Sequence, residues 1–147
     1  ELAGGRPSGR WDAESFADRY RDGGELGREQ LVVSQGAWTA QRSVRWGDHL
    51  LIRTHHDAFH LYPEVMLFDV VADPHEQHDL APSSPELVAD GLARLAAWRD
   101  EQLSTSPHDI DPLDRVLAEG GPFHVRGELP GYLERLRATE RDVRVVV

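Results

Sequence analysis

The chain has 147 residues, room for one domain or one modest domain with extensions, and a formal net charge of −10. Without a basic cluster, that charge argues against nucleic acid and anionic membrane surfaces as partners. All 16 basic residues are arginine and cysteine is absent, so lysine nucleophiles, phosphate-loop lysines, disulfides, thiolate metal sites and cysteine nucleophiles are excluded.

No apolar run approaches the roughly 18 residues of a membrane span, and the N-terminus lacks a basic-then-apolar signal pattern. The expectation is a soluble protein, of the bacterial cytoplasm or periplasm. Residues 1–27 are poor in core material and rich in glycine and charge. Within them, WDAESFADRY predicts a short helix from Asp12, with Phe16 and Tyr20 on one face. Strand signals follow at 30–35 (QLVVSQ), 38–46 (WTAQRSVRW), 49–55 (HLLIRTH) and 65–70 (VMLFDV). Gly47-Asp48 reads as a two-residue hairpin loop. Short connections favour an antiparallel sheet, because parallel pairing needs a crossover of about a dozen residues.

Past the fourth strand, Asp73-Pro74-His75-Glu76 matches a helix start position by position. Asp73 is an N-cap, Pro74 suits the first helical position, and Glu76 stands where a capping-box carboxylate reaches back. A single short helical turn is expected there, with His75 and His78 facing solvent. The next segment, SSPELVADGLARLAAWRDEQL, predicts a long helix capped by Ser84 with Pro85 at its first position. Val88, Leu92, Leu95 and Trp98 form its apolar stripe, with Trp98 a core anchor. Gly91 inside it costs about 1 kcal/mol relative to alanine.

Residues 28–103 therefore read as an α+β unit: a small four-stranded antiparallel sheet with one long helix packed on a face. Irregular or helical extensions flank it at 1–27 and 104–147. In the latter, Asp111-Pro112 starts a short helix that ends at Gly120-Gly121, and GPFHVRGELP is a loop. Pro130 opens another helix carrying Tyr132, Leu133 and Leu136. The final VRVVV is an edge strand or a loose terminus. These pieces have apolar faces but too little mass for a core of their own, so they must pack on another body.

The densest polar cluster is RTHHDAFH, containing Arg53, His55, His56, Asp57 and His60. Its spacing fits no helical zinc signature, and in an extended strand His55 and His56 point to opposite faces. The cluster reads as a polar loop at a sheet end, suited to an anionic ligand through Arg53 and one or two imidazoles. Arg42 and Arg45 also point to opposite faces, one of them placed for a cation–π contact with Trp38 or Trp46. His124 and Arg126 are a weaker anion candidate. No catalytic constellation is assembled from these residues, and none is assigned to a metal.

Taken together, GREQLVVSQGAWTAQRSVRWGDHLLIRTHHDAFHLYPEVMLFDVVADPHEQHDLA and LVADGLARLAAWRDEQL resemble the carboxy-terminal part of the formylglycine-dependent sulfatases of the alkaline phosphatase superfamily. The most specific phrase is the strand-to-turn run from Leu67 to Ala81. The flanks ELAG, WDAESFA and DPLDRVLAEGGPFHVRGELPGYLERLRATER are also similar, and the resemblance fades at DVRVVV.

The resemblance implies that 1–27 leads in from a catalytic domain, that 28–103 is the small subdomain walling the substrate cleft, and that 104–147 folds back as an extension. It implies a sulfate ester as substrate and a catalytic domain, in the same protein or a companion chain, as partner. Formylglycine and a divalent cation, calcium, are expected in that domain, since the Cys-x-Pro-x-Arg motif and the lysines are absent from this chain. Arg53, His55, His56 and His60 are the residues expected to face substrate. Histidines common in relatives are replaced here by Gln35 and Trp38. The alternatives are a stand-alone interaction module, or the same part of a phosphonate or phosphate monoester hydrolase.

Overall fold

A computed structural model of the chain describes residues 4–6, 8, 15–23 and 28–138. Helix α1 (Ala17–Asp22) precedes four strands: β1 (Gln30–Gln35), β2 (Ala40–Trp46), β3 (His49–His56) and β4 (Val65–Asp69). They form one antiparallel sheet in the spatial order β1-β2-β3-β4. Helix α2 (Pro85–Thr105) covers it, followed by α3 (Pro112–Ala118), a 3₁₀ turn (Phe123–Val125) and α4 (Leu129–Ala138). This is the expected α+β architecture. Among the described residues, no helix is long and apolar enough to cross a membrane.

The period-two alternation of the strands sets the layers. Val44, Trp46, Leu51 and Leu67 face α2 and form the core with Leu95, while Val32, Val65, Leu87, Val88 and Leu92 pack around them. Gly91 is where helix and sheet approach most closely. A Cβ there would lie 2.7 Å from Leu51 Cδ1 and 2.9 Å from Trp46 Cη2. The residue that weakens α2 by propensity is therefore the one that lets its stripe reach the sheet.

The helix starts differ in detail from the sequence pattern. Ser84 occupies the cap position of α2, and Val88 N donates to its carbonyl at 3.1 Å, but its side chain makes no capping bond. Helix α1 begins at Ala17, with Phe16 and Tyr20 exposed, and the expected start at Asp12 lies outside the described residues. The terminal VRVVV also lies outside them.

The turn after β4 is not helical. Asp73 does act as a cap, but its Oδ2 accepts from Gln77 N and His78 N, both at 2.7 Å, positions too far along for a helix N-terminus. Glu76 adopts φ +53°, so it closes a tight turn and does not reach back. Asp69 Oδ1 accepts from Val71 N and Ala72 N. Asp79 Oδ1 accepts from Leu67 N at 3.0 Å and Ala81 N at 2.9 Å. Three short carboxylates thus replace the missing ladder, and His75 and His78 face solvent as expected.

The segment after α2 docks on the sheet through a buried ion pair. Arg42 on β2 donates from Nη1 and Nη2 to both oxygens of Asp111, at 2.6 and 2.9 Å, and from Nε to Ser34 Oγ at 2.9 Å. Its guanidinium lies 5.0 Å from the Trp98 ring centre. The expected cation–π contact thus exists, with a different ring: α2 supplies the partner of Arg42, and Trp46 receives Arg94 instead. Asp111 also accepts from Leu113 N at 2.9 Å, capping α3, and from Arg99. Hydrogen bonds from Arg42 hold the Asp111 carboxyl at about 2, below its ordinary 3.8, against the opposing effect of burial. Leu113 and Val116 then seat α3 against Gly36.

Two outcomes are expected. Gly91→Ala lowers unfolding stability by about 1–3 kcal/mol despite its better helix propensity, because the methyl group overpacks Leu51 and Trp46; urea denaturation measures it, and an unchanged midpoint would contradict the close-approach role. The Asp111 carboxyl is depressed in the fold, so its contribution is complete above about pH 4 and lost as pH falls toward 2, on the order of 2 kcal/mol. Wild type should therefore lose more urea resistance than Asp111→Asn across that window, and parallel losses would contradict this.

Candidate functional site

One end of the sheet gathers the ends of β1 and β3 and the starts of β2 and β4. Register there skips one residue between Ala40 and Gln41: Gln41 pairs with Thr54 and Ala40 with His56, leaving His55 as a bulge. A bulge adds one residue and turns its side chain out of strict alternation. His56 pairs with Ala40, on the α2 side of the sheet, and His55 feels the charges of Asp114 and Asp111 at the start of α3. Both imidazoles therefore lie toward the face carrying α3. The opposite-face expectation for His55 and His56 fails because it assumed an unbroken strand.

The loop beyond β3 is tightly specified. Asp57 Oδ1 accepts from Phe59 N at 3.0 Å and its Oδ2 from Leu61 N at 2.9 Å, while His56 Nδ1 accepts from Ala58 N at 3.0 Å. Ala58, Phe59 and Leu61 all have left-handed backbones, with φ of 52°, 65° and 61°. Each such residue costs about 1 kcal/mol or more, so Asp57 and His56 hold a conformation the chain would otherwise leave. The loop is also clamped from the C-terminal side: Tyr132 Oη donates to Phe59 O at 2.7 Å, and the two rings stack at 4.8 Å.

This loop sets up an aromatic cluster. His60 stacks on Trp38 with ring centres 5.2 Å apart, His124 stacks on the same indole at 5.0 Å, and Tyr62 lies 5.6 Å from His60. Trp38 remains 57% exposed, so the cluster is a surface feature. Gly121, at φ +95°, brings the C-terminal segment onto the His56 ring, where a Cβ would lie 2.6 Å from Cδ2. Gln35, Thr39, Gln41 and Thr54 form a hydrogen-bonded chain across β1, β2 and β3.

The four residues singled out in the sequence fall into two groups. Arg53 and His55 lie toward α3, where Arg53 is exposed and faces the buried Arg42 across the strands. Desolvation, then the charges of Arg53 and Arg42, hold the His55 imidazole below its ordinary 6.5, so it is neutral near pH 7. His60 belongs to the Trp38 stack, and His56 stands between the groups as a structural acceptor. Trp38 and His124 complete the cluster, and no spacing rule joins them, since they come from separate segments.

Among the described residues, no group of three His, Asp or Glu side chains is placed to hold a metal ion. A separate hollow of about 940 Å³ lies between the end of β1, the C-terminal half of α2 and α3. Its polar floor is the Arg42–Asp111 pair, whose hydrogen-bonding groups are engaged in docking α3. The sheet end offers exposed Arg53, a neutral imidazole and stacked rings, a combination that can contact an anionic ester carrying a ring or chain. No protein-family model matches this chain, and a search of curated proteins found no match.

Asp57→Ala should release the loop without unfolding the sheet. Deuterium exchange at the Phe59 and Leu61 amides should accelerate by an order of magnitude or more, while the Leu51 amide is unchanged; equal protection in both proteins would show that Asp57 does not hold the loop.

Proposed function

We propose that this chain is the carboxy-terminal part of a sulfatase, contributing a wall of the substrate cleft and stability to a catalytic domain. The observation that carries the reading is the turn from Leu67 to Ala81. Asp69, Asp73 and Asp79 each satisfy backbone amides in it, so the spacing that resembles the sulfatases is a spacing this fold requires. The order of four strands, turn and covering helix supports the same reading. So does the polar character of the opposite sheet end, where on this reading Arg53 and His55 meet the sulfate group.

The chain's own residues do not fit the groups that perform sulfate ester hydrolysis. It has no cysteine to become formylglycine and no lysine, and its described acidic and imidazole groups do not converge on a metal position. Catalysis is accordingly assigned to a partner domain, within the same protein or as a companion chain. In this arrangement Arg53, His55, His56 and His60 lie on the substrate side. A phosphate or phosphonate monoester would present a similar anionic head to the same residues. The exposed apolar residues Leu31 and Val33 favour, as a second reading, a non-catalytic interaction module.

Native intact-mass measurement of purified material separates the readings. A sulfatase part should appear with a larger catalytic partner carrying the formylglycine mass change, or within one longer chain that has it. In that enzyme, His55→Ala should raise KM for an aryl sulfate several-fold with little change in kcat. A solitary 16.5 kDa species without sulfatase activity would overturn the proposal.

A further inference from the structure

His56 makes a bond that a neutral imidazole can make and an imidazolium cannot. Its Nδ1 accepts the Ala58 amide at 3.0 Å, so that nitrogen carries no proton. Protonation would turn the same atom into a second donor aimed at the first. Ala58 is buried, so its amide is not free to exchange this acceptor for solvent. The ring is also hemmed in. Gly121 packs on it so closely that a Cβ would come 2.6 Å from Cδ2 and 2.7 Å from Nε2, and the Phe59 ring meets it edge-on at 6.0 Å.

The loop that depends on this bond does not hold itself. Ala58, Phe59 and Leu61 have left-handed backbones, which residues with a Cβ keep only under restraint. Asp57 restrains Phe59 and Leu61, Tyr132 restrains the Phe59 carbonyl, and the Ala58 amide relies on His56. The charged and titratable groups about the ring are already engaged or are themselves imidazoles. His55 precedes it, and Asp57 follows with both oxygens on backbone amides. From the C-terminal segment come Arg126, whose Nε donates to Gly121 O at 2.8 Å, and Glu119, which pairs with Arg126 at 2.7 Å. The β2 side offers Thr39 and Ala40, neither charged.

We infer that His56 is a pH-sensitive catch on this loop: uncharged, it locks Ala58 to Leu61 in the left-handed arrangement with His60 on Trp38, and protonated, it releases them. The sign follows from the hydrogen bond. Only the neutral ring fits the closed loop, so acid depletes the closed state. Release spreads outward, because His60 on the loop and His124 on the C-terminal segment share the Trp38 indole, and Phe59 stacks on Tyr132. At neutral pH the sheet end is one fixed surface, and in acid the loop and the C-terminal segment part. This inference stands independently of the sulfatase reading.

Amide hydrogen exchange of the full chain by NMR tests it, at about pH 7.5 and about pH 5.5, with rates corrected for their intrinsic pH dependence. In wild type, Ala58, Phe59 and Leu61 should lose protection roughly tenfold or more in acid, while Leu51 keeps its own. His56→Asn retains an acceptor oxygen near the Nδ1 position and does not titrate, so its loop should stay protected at both pH values. His60→Gln and His124→Gln should each keep the wild-type response. Should His56→Asn fail to fold, the ring-nitrogen NMR signals of wild-type His56 decide, since loss of Ala58 protection should track protonation of that ring. Wild-type protection unchanged by acid, a response that persists in His56→Asn or vanishes in His60→Gln or His124→Gln, or loss of protection while the His56 ring stays neutral would each overturn the inference.

Discussion

An arginine buried on a sheet face needs a partner for each of its charged donors, and Arg42 finds them in three elements. Ser34 lies beside it on β1, Trp98 stacks from α2, and both oxygens of Asp111 arrive from the segment leading into α3. Breaking such a pair leaves an uncompensated buried charge, a cost of about 3–5 kcal/mol. The segment after α2 is therefore no loose appendage. It neutralises the sheet it lies on, and Asp111 caps α3 with the same carboxylate that meets Arg42. Fixing α3 in turn fixes Gly121 against His56 and brings His124 to Trp38.

The site at the sheet end depends on two departures from regular structure. The bulge at His55 turns two successive imidazoles toward α3, and the left-handed loop from Ala58 to Leu61 turns His60 back over Trp38. The loop is held by local acceptors, Asp57 and His56 Nδ1, and clamped by Tyr132. The exposed polar groups are thus presented by a stiff support. A residue such as His56 can look like a ligand in sequence and yet be engaged in holding backbone.

The sheet, its antiparallel order and α2 were legible because alternation and helical spacing follow directly from burial of one face. Asp111-Pro112 was legible as a helix start because capping is local chemistry. What local patterns could not reveal was pairing at long range. Arg42 met Trp98 and Asp111, not a strand tryptophan, because the choice depends on where α2 and α3 land. The bulge was invisible since nothing in THH marks an extra residue. The Asp73 turn was misread as a helix because a cap, a proline and a glutamate suit both; the left-handed Glu76 decided between them. His124 and Trp38 were each noticed, but their stacking required the fold.

Aspartate is the connector throughout. Asp57, Asp69, Asp73, Asp79 and Asp111 each accept backbone amides at a place where regular structure stops. The side chain is short enough to reach amides a few residues on, which a glutamate reaches less directly. Part of the chain's negative charge is therefore structural, drawn to turns by geometry and fixed there. The same rule explains why the strands are comparatively poor in acid.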